Sequence, residues 1–558
     1  MFNFFDQWNA SLSGKVWGLP EGADAFALKH LASCHDGRAV FVAVDDASMD
    51  KMKASMLLNG VSSDNIITFP AWDCLPYDRI SPNGILIGQR LKTLAELYAE
   101  PEKERFILTT INAWIQHVPP PEYFDGASLF IKVGKELHQR EFINFAAANA
   151  YRRCDTVREP GEFAVRGGII DVFPPGYDDP VRIDFFDVEI DSIKLFDAET
   201  QRSKGKIDQL TLFPVSEVLL SEDVIGAFRT RYLEQFGAEA SKDPLYQSIS
   251  EGRHHPGMEH MLPLFHDHVV PFSNYLKDAP VLADPDVPAA LEQRLEQIND
   301  FFQSRSEIND DDENIWRPLN PSQLYQTKAA LDQSKMIVHL TSRFSKQDGE
   351  QGEGFDLEGR RGAIFHSAAA DYKVEASEGE VSASPSAIAA KAIEEFSKDN
   401  TIILAASTEG SRTRMDELIA EHLPAKLVIR PTSTLNEINE GQIYAAIWPI
   451  EDGFSLPGLV VITEKDIYGT RIARPQGKRR KGENFLREVS SLSTGDLVVH
   501  VDHGIGRYEG LEKINTGGVD HDCLLLVYQG GDKLFLPVEN IDLLSRFGKE
   551  GGDANLDK

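Results

Sequence analysis

Short apolar runs alternate with helical spacing over the first hundred residues. Ala39-Val-Phe-Val-Ala-Val44, Ile66-Ile-Thr-Phe69 and Phe106-Ile-Leu-Thr-Thr110 are rich in β-branched and aromatic residues and too brief for helices, so they predict buried strands. Between them a helical stretch runs through Met52 and Met56. Over Gln89–Tyr98, Leu91, Leu94 and Leu97 recur at the period of one helix face. Alternation of strands and helices predicts a parallel sheet over 1–118.

The pattern changes at 119–213. Segments 162–173 and 181–197 are strand-like and are separated by the turn cluster Pro174-Pro-Gly-Tyr-Asp-Asp-Pro180, with a second tight turn at Asp187-Val-Glu189. A small antiparallel β domain is expected. Residues 214–345 read as mostly helical. Ser221 is a plausible N-cap, and Phe228, Tyr232 and Phe236 recur every four residues. Residues 346–386, rich in Gly, Ser, Glu and Ala, read as linker. An α/β pattern returns over 387–470, with strands near 401–406, 426–430, 443–448 and 459–463 and a helix at 409–422. A basic linker spans 471–488. The stretch 489–550 is β-rich, with Gly504 and Gly506 read as a tight turn and Gly517-Gly518 and Gly530-Gly531 as hairpin loops. Four or five short strands in so few residues suggest a small barrel, in which 507–514 leaves an edge open to another chain's strand or is capped by its neighbours.

Composition narrows the classes. A chain of 558 residues is too long for one core. Lys and Arg number 57 against 88 Asp and Glu, a net charge of −31, which argues against a general nucleic-acid coat because phosphate neutralisation needs cations. The exception is local: Arg471, Arg474, Lys478, Arg479, Arg480 and Lys481 crowd the basic linker, either to touch DNA or as a solvated connector. Four scattered cysteines without CxxC fit a reducing cytosol. No run approaches ~18 apolar residues, so no membrane partner is expected, and MFNFFDQWNA does not read as a signal peptide.

Candidate chemistry is thin. Five Gly-Lys pairs occur, none followed by Ser or Thr, so no phosphate loop of the GxxxxGK[ST] type is written here. No catalytic residue, cofactor or metal is therefore expected of this chain. His254, His255, His260, His266 and His268 crowd together without metal-ligand spacing, and Asp310-Asp-Asp-Glu313 reads as a solvated loop. Binding is better represented. On a strand over 181–186, Val181, Ile183 and Phe185 share one face and Arg182, Asp184 and Phe186 the other. Arg166 is placed to join that outer surface. An aromatic beside arginines has the composition of a binding hot spot. Equally, Phe186 packs under a neighbouring domain and both arginines pair with Asp184 or Asp187.

FPAWDCLPYDRISP at 69–82, EFAVRGGIIDVFPPG at 162–176, VRIDFFDVEIDSIKLFD at 181–197 and VVHVDHGIGRYEGL at 498–511 together resemble the N-terminal half of the bacterial transcription-repair-coupling factors, over essentially the whole chain. The resemblance implies a multidomain α/β chain. Residues 1–118 and 214–345 would form a degenerate helicase-like lobe of the UvrB type, in which Gly18-Leu-Pro-Glu-Gly-Ala-Asp24 stands where the phosphate loop would be. The β domain over 119–213 would be inserted in that lobe and dock UvrA, with family contact positions at Arg166, Arg182 and Phe186. Residues 387–470 resemble a domain of unclear role. The stretch 489–550 resembles an RNA-polymerase-interaction module, a barrel of the CarD or Tudor kind. Its exposed strand, carrying Arg507, Lys513 and Ile514, would pair with the polymerase β subunit. Intact members continue into an ATP-driven translocase, so ATP, magnesium and most contact with double-stranded DNA are expected of that motor, with 551–558 as the start of a connector. The family's C-terminal domain covers the UvrA-docking surface, so tighter UvrA binding is expected of this chain than of an intact member. The implied role is transcription-coupled excision repair in the bacterial cytoplasm, at the nucleoid. The competing role is a UvrB-like ATP-dependent helicase subunit acting directly on damaged DNA.

Overall fold

The structure, a computed structural model, describes residues 4–307, 317–333, 336–346, 353–362, 384–468, 497–500, 504–516, 519–528, 533–537 and 544–546. The chain divides into two units, 1–473 and 474–558.

The first unit is built on a seven-stranded, fully parallel sheet. Its strand order is Gly354–Asp356, Gly14–Trp17, Val338–Thr341, Val281–Ala283, Arg38–Ala43, Arg105–Thr110 and Ile66–Phe69. Of the three runs picked out by hydrophobicity, Arg38–Ala43 and Arg105–Thr110 are interior strands and Ile66–Phe69 is an edge strand, and all three are largely buried, as expected of a parallel sheet covered on both faces. Helix Asp46–Leu58 is capped by Asp45, whose carboxylate accepts from the Ser48 amide at 2.7 Å. The stretch 214–345 is mostly helical, as expected, but not wholly so. It does contain helix Glu222–Phe236, capped by Ser221, which buries Phe228 and Tyr232, but it also returns Val281–Ala283 and Val338–Thr341 to the parallel sheet. Strands of three and four residues carry no readable period.

The linker expected over 346–386 is also corrected in its described part. Gly354–Asp356 pairs with Gly14–Trp17, and four residues on, Arg360–Arg361 pairs with Phe454–Leu456 of a second sheet. Glycine is what permits this. A Cβ on Gly354 would stand 1.9 Å from the Lys15 carbonyl oxygen. A composition poor in large apolar groups here serves close backbone approach. Further on, helix Pro385–Phe396 begins within the same stretch, capped by Ser384.

The second sheet, order Arg360–Arg361, Phe454–Leu456, Leu459–Thr463, Thr401–Ala406, Ile443–Ile447 and Ile429–Pro431, with helix Glu409–Ala420, matches the α/β expectation for 387–470 closely. It shares a core with the first lobe, where Leu28, Phe41 and Met56 meet Trp448, Ile450 and Phe454.

Residues 119–213 form a six-stranded sheet, order Ser203–Ile207, Glu189–Phe196, Val181–Phe186, Ile169–Val172, Glu162–Arg166 and Arg152–Arg153. Every pairing is antiparallel except the last. Helix Gln139–Ala148 packs Phe142 and Ala146 on its inner face. The turn Asp187-Val-Glu189 is present, with Asp187 at φ +60°. The Pro174–Pro180 cluster rests on helix Gly84–Ala99, where Lys92 lies 5.1 Å over the Tyr177 ring.

The second unit contains a five-stranded antiparallel sheet, order Lys533–Pro537, Val519–Val527, Gly504–Thr516, Leu497–His500 and Leu544–Arg546, over a core that includes Val498, Tyr508, Leu524, Leu526 and Leu536. Among the described residues its two end strands do not pair, so closure into a barrel is not part of the described architecture. Gly504 and Gly506 are not a turn. Both lie within a strand, and a Cβ on Gly506 would press on the Tyr528 ring at 3.0 Å. The glycine pairs 517–518 and 530–531 lie outside the described residues. No helix among the described residues is long and apolar enough to cross a membrane.

Candidate functional site

Register places the outer face of the 119–213 domain. Arg166 pairs with Ile169, Ile169 with Asp184, and Asp184 with Ser192, so all four side chains leave one side of the sheet. Arg182 and Phe186 lie on that side too, two residues either way from Asp184. The inner positions Val181 and Ile183 are fully buried. On the facing strand Asp191 is an extra residue, since Asp184 faces Ser192 while Phe185 faces Ile190.

The three candidates differ in their freedom. Phe186 is 78% exposed beside the hairpin turn, so the reading that buries it under a neighbouring domain fails within the described unit. Arg182 is half-buried. Its Nε and Nη2 donate to both carboxylate oxygens of Asp171 at 2.7 and 2.9 Å, and its guanidinium lies 4.8 Å over the Phe196 ring. Its partner is thus Asp171 on the next strand, not Asp184 or Asp187. Asp184 instead accepts from Lys194 Nζ at 2.6 Å and Ser192 Oγ at 2.7 Å, and these bonds hold its carboxyl below the usual range despite partial burial. Arg166 is exposed and donates to the Asp155 carbonyl and to Thr156 Oγ1. The structure therefore offers an exposed ring, an exposed arginine and a pinned arginine on one face.

Phe130 was missed at the sequence level. It is 58% exposed on strand Leu129–Lys132, whose alternation puts Ile131 inward. That alternation was a readable signal. The chain after it passes beside the Phe186 hairpin, since the Leu137 amide donates to the Val188 carbonyl at 2.8 Å.

In the second unit, Gly504–Thr516 has an asymmetric ladder. Residues 504–507 pair with Leu497–His500, and residues 507–516 pair with Val519–Val527 on the opposite edge. Arg507 is paired on both edges, opposite Leu497 and Val527, so its backbone is not open as expected, though its side chain is exposed. Lys513 and Ile514 pair only with Asp522 and His521 among the described residues. A register shift at Tyr508–Gly510 marks where the second edge is left. Arg474, Lys478, Arg479, Arg480 and Lys481, and the acidic run 310–313, lie outside the described residues.

The loop 18–23 joins strand Gly14–Trp17 to helix Asp24–Ser33 at the C-terminal end of a parallel sheet, the place where α/β folds take phosphates. Here the crevice is filled from within. Arg343, just past strand Val338–Thr341, donates through Nη1 to Asp24 Oδ2 at 2.6 Å and to the Leu19 carbonyl at 3.2 Å. Its Nη2 donates to Asp284, just past strand Val281–Ala283, at 3.0 Å. Burial pushes the Asp24 carboxyl up to about 6, against the pull of Arg343. The residual cavity is about 30 Å³, far below the ~300–1,000 Å³ of ordinary ligand pockets.

The five histidines do not converge. His260 is buried against Trp72, with its Nε2 3.8 Å from Cys74 Sγ, and burial pushes its pKa down to about 3. His266 bonds the Glu217 carbonyl at 2.9 Å.

Three family models match the chain: the UvrB interaction domain over 129–218, the MFD D3 domain over 393–467, and the CarD-like/TRCF RID domain over 492–548. Among curated proteins, the chain is 31% identical to a transcription-repair-coupling factor of Haemophilus influenzae over 94% of its length and 44% of that relative. It is 31% identical to one of Rickettsia bellii, over 89% of this chain and 42% of the relative. The Escherichia coli protein of the same name is 28% identical, over 96% of this chain and 46% of the relative. The chain thus spans less than half the length of these relatives. With three matched domains in order along a chain that aligns almost end to end, it is similar over nearly its whole length to the N-terminal part of the transcription-repair-coupling factors.

Proposed function

We propose that this chain is the adaptor part of a transcription-coupled excision-repair factor, joining stalled RNA polymerase to UvrA at damaged DNA. The observation that carries the reading is the exposed Phe186, held beside Arg166 and Arg182 on the outer face of the domain matched to UvrB interaction. Large aromatics and arginines dominate binding energy when a partner desolvates them. Arg182 enters such a contact already oriented by Asp171, so little side-chain freedom remains to be lost. At the other end, the module over 489–550 would capture the polymerase β subunit by strand addition at the free edge of 508–516, in a barrel of the CarD or Tudor kind. The lobe between them serves as scaffold. Its crevice lacks the lysine loop and is occupied by Arg343, which favours this reading over that of a UvrB-like helicase subunit. ATP turnover and most of the grip on DNA belong to the translocase of the intact family protein, with the basic residues 471–481 as an auxiliary DNA contact. The domain limits follow the sequence reading, with Gly354–Asp356 and Arg360–Arg361 reassigned to the two sheets they join.

Calorimetric titration with UvrA tests the docking face. Phe186→Ala is expected to weaken binding by about 2 kcal/mol, roughly thirtyfold, with thermal unfolding unchanged. Equal affinity before and after the substitution removes this assignment.

A further inference from the structure

The crevice of the parallel lobe has a roof, and the roof is the second α/β domain. A Cβ placed on Gly22 would stand 3.1 Å from both Trp448 and Ile450 and 3.2 Å from Phe454. All three are buried, and Trp448 meets Phe454 edge to face at 5.7 Å. The indole Nε1 of Trp448 reaches across to donate to Ser55 Oγ of helix Asp46–Leu58 at 2.9 Å. Around the rim, Lys51 pairs with Glu21 and with Glu451, each at 2.9 Å, so one lysine ties the loop to the roof. On the far side the Gly359 amide donates to the Gly18 carbonyl at 3.0 Å, and the Gly362 amide to the Gly453 carbonyl at 2.7 Å. The two sheets are thereby sewn together through the same loop.

We propose that the domain over 384–468 works as a resident plug of the lobe's phosphate crevice, with Trp448, Ile450 and Phe454 seated on the 18–23 loop and the Arg343 pairs beneath them. The role assigned is mechanical. Motor lobes of this architecture change shape when nucleotide enters or leaves their crevice. A crevice filled by the chain's own side chains has one state only. Two sheets sharing one core through that crevice move as one body. The charge beneath the roof agrees. Asp24, Asp284, Glu21 and Glu451 outnumber Arg343 and Lys51, a surround that repels polyphosphate. The proposal does not depend on either binding partner.

Hydrogen exchange on the full chain decides it. In Trp448→Ala, amides of 18–24 and 46–58 are expected to exchange at least about tenfold faster, while 162–196 in the antiparallel sheet keeps its rate. Ser55→Ala removes the acceptor of the indole, together with the hydroxyl's own bond to the Lys51 carbonyl within its helix, leaves both hydrophobic cores whole, and is expected to accelerate 18–24 by about fivefold. If Trp448→Ala does not fold, Ser55→Ala alone decides. Unchanged exchange at 18–24 in Ser55→Ala, or a rise equally large at 162–196, overturns the proposal.

Discussion

Replacing Arg90 with methionine is expected to destabilise the protein by about 3–5 kcal/mol, because it strands a buried charge. Arg90 sits on helix Gly84–Ala99 with no exposed surface. Its Nε donates to Glu217 Oε1 at 2.7 Å and its Nη1 to the Pro70 carbonyl at 2.9 Å. The guanidinium lies 4.4 Å over the Phe69 ring. Glu217 is equally buried. Without the guanidinium its carboxylate must either protonate or draw in water. The pair matters beyond stability, since Glu217 lies where the chain re-enters the lobe at the end of the 129–218 match. The same helix carries Lys92, which holds Tyr177 of the Pro-rich turn. Denaturant unfolding at neutral pH measures the loss. The double variant Arg90→Met, Glu217→Leu is expected to recover most of it, because both buried charges go together and the Pro70 carbonyl alone loses its Arg90 donor. A single variant as stable as the parent contradicts the pairing.

Ile514→Arg is expected to abolish capture of RNA polymerase. Strand addition uses backbone groups for affinity and alternate side chains for specificity. Past Arg507 only one ladder of the strand Gly504–Thr516 lies among the described residues, and on the proposed reading an incoming strand would pair along the other edge of 508–516. Ile514 is paired to His521 within that stretch. A charge there must be desolvated when a second strand closes over it, a cost of several kcal/mol unless it finds a partner. Pull-down of the β subunit by the variant, with its circular dichroism unchanged, is the check. Retention of polymerase at parental level assigns the contact elsewhere.

What the sequence disclosed follows from period. Val181 to Phe186 alternates cleanly, and its in-and-out pattern put Arg182 and Phe186 on the outer face before any coordinates. The strands 401–406, 443–447 and 459–463 are long apolar runs and were legible for the same reason. Gly14–Trp17, Val281–Ala283 and Gly354–Asp356 were not, since three or four residues show no period and two of them begin with glycine or stand among helices. Cross-strand pairing is invisible locally. Arg182 finds Asp171 eleven positions away because register sets them side by side, whereas Asp184, two residues off, belongs to Lys194. The filling of the crevice by Arg343 draws on residues 319 positions apart. The 18–24 segment without a phosphate-loop lysine was legible in the sequence, and only the fold showed Arg343 occupying the crevice beside it.

In the proposed role, one chain holds two machines together without consuming nucleotide. Immobilised RNA polymerase, incubated with UvrA in the presence and absence of this chain and without added nucleotide, tests it directly. Retention of UvrA only when the chain is present is the expected result. UvrA that stays behind equally without the chain, or that never stays with it, contradicts the account.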